Sequence, residues 1–290
     1  MNYNNVAFIP LRGGSKGIPN KNIKPFCGQP LCYWTIKAAA NSTNIDQVFV
    51  STDSKKIRAT VEGFQLPKVT IIDRSPKSAE DMASSEIVLL EFAKQTHCKQ
   101  IVFIQATNPF LLTSDLDSAI ATMATTYDSM VSVVKQHRFL WQETQSGIEP
   151  KNYIPTQRPR RQDWNGELIE NGAFYITTHS ALTQSGCRLS GRVGAHIMPD
   201  HSSFELDTPD DWEIAEAIFY KKGFNTGNLV PQIKLFVTDV DGVLTDSGMY
   251  YAENGDELKK FNTRDGKGLE LLRQKGIKIA IVTTENTQLV

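Results

Sequence analysis

The chain has 290 residues, 40 % of them apolar, enough for a sizeable core in one large domain or two smaller ones. Its 31 basic and 32 acidic residues leave a net charge of −1, which excludes a general field for nucleic acid or anionic lipid. No run of about 18 apolar residues is present to span a membrane. The start, MNYNNVAFIP, does not read as a secretory leader. The four cysteines (Cys27, Cys32, Cys98, Cys187) have no metal-site spacing and read as reduced packing thiols of a cytosolic protein.

The first predicted element is a buried strand, Val6–Pro10. It runs into a loop dense in glycine and cation, Leu11-Arg-Gly-Gly-Ser-Lys-Gly-Ile-Pro-Asn-Lys-Asn22. Gly13, Gly14 and Gly17 let the main chain approach a ligand closely, and successive N–H groups in such a loop can converge on one anion. Arg12, Lys16 and Lys21 add three positive charges, and Ser15 adds a hydroxyl. The composition predicts a polyphosphate site. It matches neither GxxxxGK[ST] nor GxGxxG.

Three further apolar runs predict buried strands, at 47–51, 69–72 and 100–105. Helical patterns at 31–41, 54–62 and 84–94 separate them. This alternation predicts an α/β fold with a parallel sheet covered on both faces. Ligands of such folds sit at the carboxyl ends of the strands, so the 12–22 loop, Ser51-Thr-Asp53 and Gln105-Ala-Thr-Asn108 should share one rim. Ser51–Ser54 reads equally as the cap of the next helix. Arg74, Ser75-Pro76 and the segment to Ser85 read by themselves as a loop entering a capped helix.

A helix is expected at 113–126 and a strand at 130–134. The basic stretch Arg158-Pro-Arg-Arg-Gln-Asp-Trp164 has no repeated basic and aromatic groove, so no nucleic-acid partner is expected. Arginine's planar fork suits a carboxylate or phosphate. Glu205 and Asp207 alternate along an expected strand, which directs both carboxylates to one side. That arrangement suits Mg²⁺, whereas Asp207-Thr208-Pro209 and Asp210-Asp211 also read as the cap of the helix at 212–219.

RGGSKGIPNKN resembles the signature of the CMP-sialic acid synthetases (acylneuraminate cytidylyltransferases), R-x-G-S-K-G-hydrophobic-P-x-K-N. The resemblance covers residues 6–222. It implies a nucleotide-diphospho-sugar-transferase-like (Rossmann-like), mostly parallel sheet with a dimerisation arm. The implied reaction joins CTP and a nonulosonic acid such as sialic acid or KDN into a CMP-sugar, releasing pyrophosphate. The alternatives are another acidic keto-sugar as acceptor, or a non-catalytic assembly subunit. Arg12, Lys16 and Lys21 become the catalytic cations. Gly14, Ser15, Asn22, Arg74, Ala83 and Ser85 join them as nucleotide contacts. Gln105, kept where Ala106 and Asn108 depart from the family pattern, becomes an acceptor contact.

RPRRQDW-N-GEL-IENGAFY looks very like the matching segment of the vertebrate enzymes, where it belongs to an arm against a second subunit. Arg161 and Gln162 then become sugar or arm contacts, and Asn171, Gly172 and Phe174 pocket residues. Glu205 and Asp207 become the Mg²⁺ ligands, with glutamate replacing the family's usual first aspartate. A homodimer in the cytoplasm is implied, with a tetramer through the C-terminal region as the larger assembly. A nuclear location is implied for a vertebrate-like source.

After a linker at 226–232 the pattern restarts. Ile233–Thr238 is an expected strand, and Asp239-Val-Asp-Gly-Val-Leu-Thr-Asp246 resembles the first motif of haloacid-dehalogenase-type (HAD) phosphatases. The resemblance makes Asp239 the nucleophile, Asp241 the acid/base and Thr283, after a strand at 277–283, the second motif. That family's later motifs are not found by residue 290. The expected organisation is a cytidylyltransferase domain at 1–225 and a partial, inactive HAD-like domain at 233–290, cut from a longer two-domain protein, with a bifunctional full-length protein as an alternative.

Overall fold

The run Val-Ala-Phe-Ile that opens the sequence pattern is the centre of the fold. In the computed structural model, which describes residues 3–15, 17–79, 84–123, 126–224, 233–255 and 257–283, β1 (Tyr3–Pro10) buries Val6 to Ile9 almost completely. A strand covered on both faces needs apolar residues at consecutive positions, and β1 has them. It lies parallel between β2 (Gln47–Thr52) and β4 (Cys98–Ile104), with Pro10 opposite Ser51 and Phe8 opposite Phe103. β3 (Val69–Asp73) extends the sheet parallel to β2.

On the other side follow β5 (Ser129–Gln136), β6 (Glu167–Thr178) and β7 (Val193–Met198), in the order β7-β5-β6-β4-β1-β2-β3. All neighbours are parallel except at β6, which runs antiparallel to both of its partners. The sheet is therefore mostly parallel.

Helices cover both faces. α1 (Leu31–Asn41), α2 (Lys55–Glu62) and α4 (Thr113–Met123) close one layer of the core over Ile9, Val50, Ile104 and Ile176. α3 (Ser85–Gln95) and α5 (His179–Ser185) close the other over Phe8, Phe103 and Tyr175. Phe92 of α3 stacks on Phe8 with centroids 4.2 Å apart. The expected caps are present: Ser54 Oγ accepts from Ile57 N and Ser84 Oγ from Ile87 N, both at 3.4 Å. A third apolar cluster joins Ile18 and Phe26, next to the glycine-rich loop, to Leu206 and to Trp212 and Phe219 of α6 (Pro209–Lys221).

Sequence patterning did not show β7, α5 or the hairpin Trp141–Thr144/Gly147–Pro150. That hairpin leads into an aromatic cluster in which Phe139 and Trp164 stack at 5.0 Å under Arg158. The strand expected through Glu205 and Asp207 is absent; a 3₁₀ turn at Asp200–Ser203 is followed by unpaired chain. Burial still alternates there, with Leu206 inside and its neighbours outside, so the two carboxylates remain on the exposed side.

The chain divides into two compact units, Met1–Asn225 and Thr226–Val290. In the second unit β8 (Leu235–Thr238) pairs in parallel with β9 (Lys278–Ile281), and α7 (Thr263–Gln274) lies between them in sequence. Asp239 and Thr283 thus follow the carboxyl ends of neighbouring strands. Asp241 Oδ1 accepts from Lys259 Nζ at 2.7 Å.

Candidate active site

The carboxyl ends of β1, β3 and β4 open onto a cavity of about 370 Å³. Arg12, Gly14, Ser15, Lys21 and Asn22 line it from the glycine-rich loop. Arg74 and Ser85 line it from the β3–α3 connection, and Phe103, Gln105 and Thr107 from β4 and beyond. Residues predicted from three separate stretches therefore share one wall. Lys16 and Ala83 lie outside the described residues.

Short-range physics holds the loop in place. Gly13 N donates to Asp53 Oδ1 at 2.9 Å, and Leu11 N donates to Ser51 O at 2.7 Å. Asp53 is thus a loop anchor, while the capping role falls to Ser54. Asn22 Nδ2 donates to Arg12 O at 3.0 Å, fixing the start of the loop from its end. Among the described residues, a Cβ on Gly14 would meet no atom within 4 Å beyond its own chain neighbours, so that face of the loop is open for a ligand. Arg74 donates from Nε and Nη2 to Ser78 O. Burial, and then the neighbouring Arg12, lower its pKa while Asp53 opposes them.

The loop is also fastened to the acidic segment. Lys21 Nζ donates to Leu206 O at 2.7 Å and to Asp207 Oδ1 at 3.0 Å. A Cβ on Gly17 would stand 2.4 Å from Asp207 O, so only glycine allows this approach. Asp211 and Thr208 form the capping box of α6, as the cap reading required, and the hydrogen bonds from Thr208 lower the Asp211 pKa.

Glu205 sits in a different cradle. Gly172 has φ +63°, and a Cβ there would lie 2.3 Å from Glu205 Oε1. This follows from a bulge in β6: pairing with β5 breaks between Glu170 and Tyr175, and Phe174 N donates to Ser132 Oγ instead. Burial raises the Glu205 pKa, the nearby Asp207 carboxylate raises it further, and Lys21 opposes both. Two hard oxygen donors that repel each other beside a single lysine are a fitting pair for a hard divalent cation. Among the described residues no larger group of His, Cys, Asp and Glu converges on a metal position.

Three pocket expectations, Asn171, Gly172 and Phe174, are corrected. Asn171 is buried and its amide is consumed internally, donating to Ser202 O, Ser202 Oγ and Met198 Sδ. Phe174 is fully buried in the core. Gly172 supports Glu205 rather than lining the cavity. Asn108, left without a role by the sequence pattern, donates to Asn171 O and Ser202 O and ties the β4 exit to the acidic segment. Its signal was an amide four residues beyond a strand end, which has many ordinary explanations. Arg161 and Gln162 are exposed on a 3₁₀ turn, outside the cavity lining.

A parallel sheet with a cationic, glycine-rich loop at its carboxyl edge defines a nucleotidyltransferase-like α/β protein. The chain belongs to the cytidylyltransferase family, whose model matches residues 6–218. It is 37 % identical over 286 residues to N-acylneuraminate cytidylyltransferase A of Danio rerio, covering 96 % of this chain and 65 % of that protein. It is 28 % identical to the N-acylneuraminate cytidylyltransferase of Streptococcus agalactiae serotype III, covering 76 % of this chain and 58 % of that one. The chain thus spans about two thirds of the length of its fish relatives. The fold resembles CMP:2-keto-3-deoxy-manno-octonic acid synthetase complexed with CTP, with a TM-score of 0.58 at 16 % identity. That match covers 76 % of this chain and 99 % of that structure.

Proposed function

We propose that this chain is an N-acylneuraminate cytidylyltransferase, converting CTP and a nonulosonic acid into the CMP-sugar and pyrophosphate. The observation that carries the reading is one cavity shared by Arg12, Ser15, Lys21, Asn22, Arg74, Ser85 and Gln105, in a chain whose fish relatives bear that activity in their names. The acceptor's 2-hydroxyl oxygen bonds to the α-phosphorus as the bond to the β-phosphate oxygen breaks, and the hydroxyl proton leaves. Most of the rate enhancement then comes from position and charge.

In this reading Arg12 and Lys21, with Lys16, neutralise the triphosphate and the departing pyrophosphate. Gly14 and Ser15 offer the loop's backbone and hydroxyl donors. Asn22, Arg74, Ala83 and Ser85 hold the nucleoside, and Gln105 orients the acceptor. Glu205 and Asp207 would hold Mg²⁺, which supplies polarisation of the α-phosphate when bound. Lys21, already on Asp207, keeps that carboxylate aligned.

The hairpin at 141–150 and the turn carrying Arg161 and Gln162 are assigned to a dimerisation arm. The exposed Trp141, Ile148 and Leu168 on this stretch support that assignment. We assign the enzyme to the cytoplasm as a homodimer. The second unit is assigned as HAD-like, supported by Asp239 and Thr283 at the ends of adjacent parallel strands and by the Asp241–Lys259 pair.

The test is pyrophosphate release from CTP and Mg²⁺, with Neu5Ac and KDN as parallel acceptors. Release with either is the expected result. Demonstrated CTP binding without release from either would overturn the assignment.

A further inference from the structure

Asn108 is fully buried beyond the end of β4. A primary amide has two N–H donors and one carbonyl acceptor, and here all three are used. Nδ2 donates to Asn171 O at 2.9 Å and to Ser202 O at 2.8 Å, and Oδ1 accepts from Phe110 N at 3.3 Å. A carboxylate in this place would repel both carbonyls, and a hydroxyl has one proton for the two of them. Asn171 and Ser202 are buried as well. Asn171 Nδ2 donates to Ser202 Oγ at 3.1 Å, and Ser202 Oγ donates to Pro199 O at 2.7 Å. A buried polar network satisfied in this way is rigid.

The network joins three stretches that each carry part of the site. Asn171 precedes Gly172, the residue against which the Glu205 carboxylate rests. Ser202 begins the short run of chain that leads to Glu205. Gln105 and Thr107, which line the cavity, lie just before Asn108. Backbone bonds reinforce the joint: Gln105 N donates to Ala173 O at 3.1 Å, and Leu206 N donates to Thr107 O at 3.2 Å. One amide therefore holds both halves of the Glu205 cradle and fastens them to the wall that carries Gln105. The glycine-rich loop is held by other groups, Asp53 at Gly13 and Asn22 at Arg12. Leu206, beside Asp207, is seated in the apolar cluster of Ile18.

We propose that Asn108 is a positioning residue of the reaction, setting Glu205 against the Gln105 side of the site. This rests on the transferase reading, with Gln105 toward the acceptor and Glu205 toward the divalent cation. Asn108 lies outside the cavity lining and acts through Asn171 and Ser202. Shortening it strands two buried carbonyls, a costly state that is relieved only when the chain parts or water enters. Either relief moves Glu205 away from Gln105 and leaves the nucleotide side of the cavity in place.

The test combines steady-state pyrophosphate release with Mn²⁺ binding to the protein alone, followed by electron paramagnetic resonance. It compares the wild-type chain with Asn108→Ser, Ser202→Ala and Ile36→Val, the last a core change on α1. Asn108→Ser should raise the acceptor KM and weaken Mn²⁺ binding, each by about tenfold or more, with the CTP KM near its wild-type value. Ser202→Ala should shift the same two quantities less, because Ser202 O stays available to Asn108. Ile36→Val should lower Tm and shift neither. A wild-type acceptor KM or Mn²⁺ affinity in Asn108→Ser overturns the proposal. So does a CTP KM raised alike, or the same pattern in Ile36→Val. Should Asn108→Ser fail to fold, wild-type values in Ser202→Ala overturn it equally. A wild-type chain that binds no Mn²⁺ overturns this proposal alone. One that releases no pyrophosphate overturns the transferase reading, and the Mn²⁺ affinity of Asn108→Ser, which needs no turnover, still decides the role of Asn108 at Glu205.

Discussion

Replacing Gly172 with alanine tests how the acidic side of the site is built. The new methyl would stand 2.3 Å from Glu205 Oε1 and 2.6 Å from Cδ. Carbon contacts settle near 3.5 Å, so the carboxylate must retreat by about 1 Å. The carboxylate is the end of a flexible side chain, so the steric cost is small. The left-handed backbone adds about 1–2 kcal/mol for a residue with a Cβ. The expected fall in Tm is about 2–8 °C for a domain of this size. The functional loss should be larger, because a misplacement of about 1 Å in a positioned group costs on the order of a hundredfold. Two assays separate the effects: thermal unfolding, and the Mg²⁺ dependence of pyrophosphate release paired with Mn²⁺ binding followed by electron paramagnetic resonance. Weakened metal binding by at least about tenfold is expected, as for a pair of ligands reduced to one. A lowered Tm with wild-type metal dependence would refute the argument that Gly172 exists to seat Glu205.

Lys21→Ala should lower kcat by about a hundred- to a thousandfold but change stability by less than about 1 kcal/mol, because the Asp207 it leaves is already exposed. A near-normal kcat would remove Lys21 from the reaction. Phe174→Ala should cost about 3–5 kcal/mol of folding stability, since the ring is fully buried; a specific rise in acceptor KM at unchanged Tm would restore it to the pocket. Gly14→Ala should leave Tm at the wild-type value and weaken CTP binding, measured by calorimetry, because its Cβ would enter only the ligand's space. Glu205→Gln should lose activity and gain stability at neutral pH. A carboxylate whose pKa is raised on folding holds more protons when folded, so it weakens the fold as pH rises through that pKa. The gain should therefore shrink as pH falls below it; a gain that grows on acidification would reverse the sign of the argument.

The chain's own order of residues determined the parts governed by local rules. Val6–Ile9 had to be a doubly buried strand, Ser54 and Ser84 had to cap helices, and the cations and glycines of the 12–22 loop marked it as a candidate anion site. Strand polarity then placed Arg12, Asp53 and Gln105 on one rim. The acidic pair was legible as well, although the backbone carrying it is unpaired chain rather than strand, because extended chain alternates its side chains whether or not it is paired. The roles of Asn171, Gly172 and Phe174 were decided only by tertiary structure. A bulge in β6, invisible in composition, turns Phe174 into the core, uses up the Asn171 amide and frees Gly172 to receive Glu205. Contacts between residues far apart in the chain carry no periodicity, and only the packed sheet creates them.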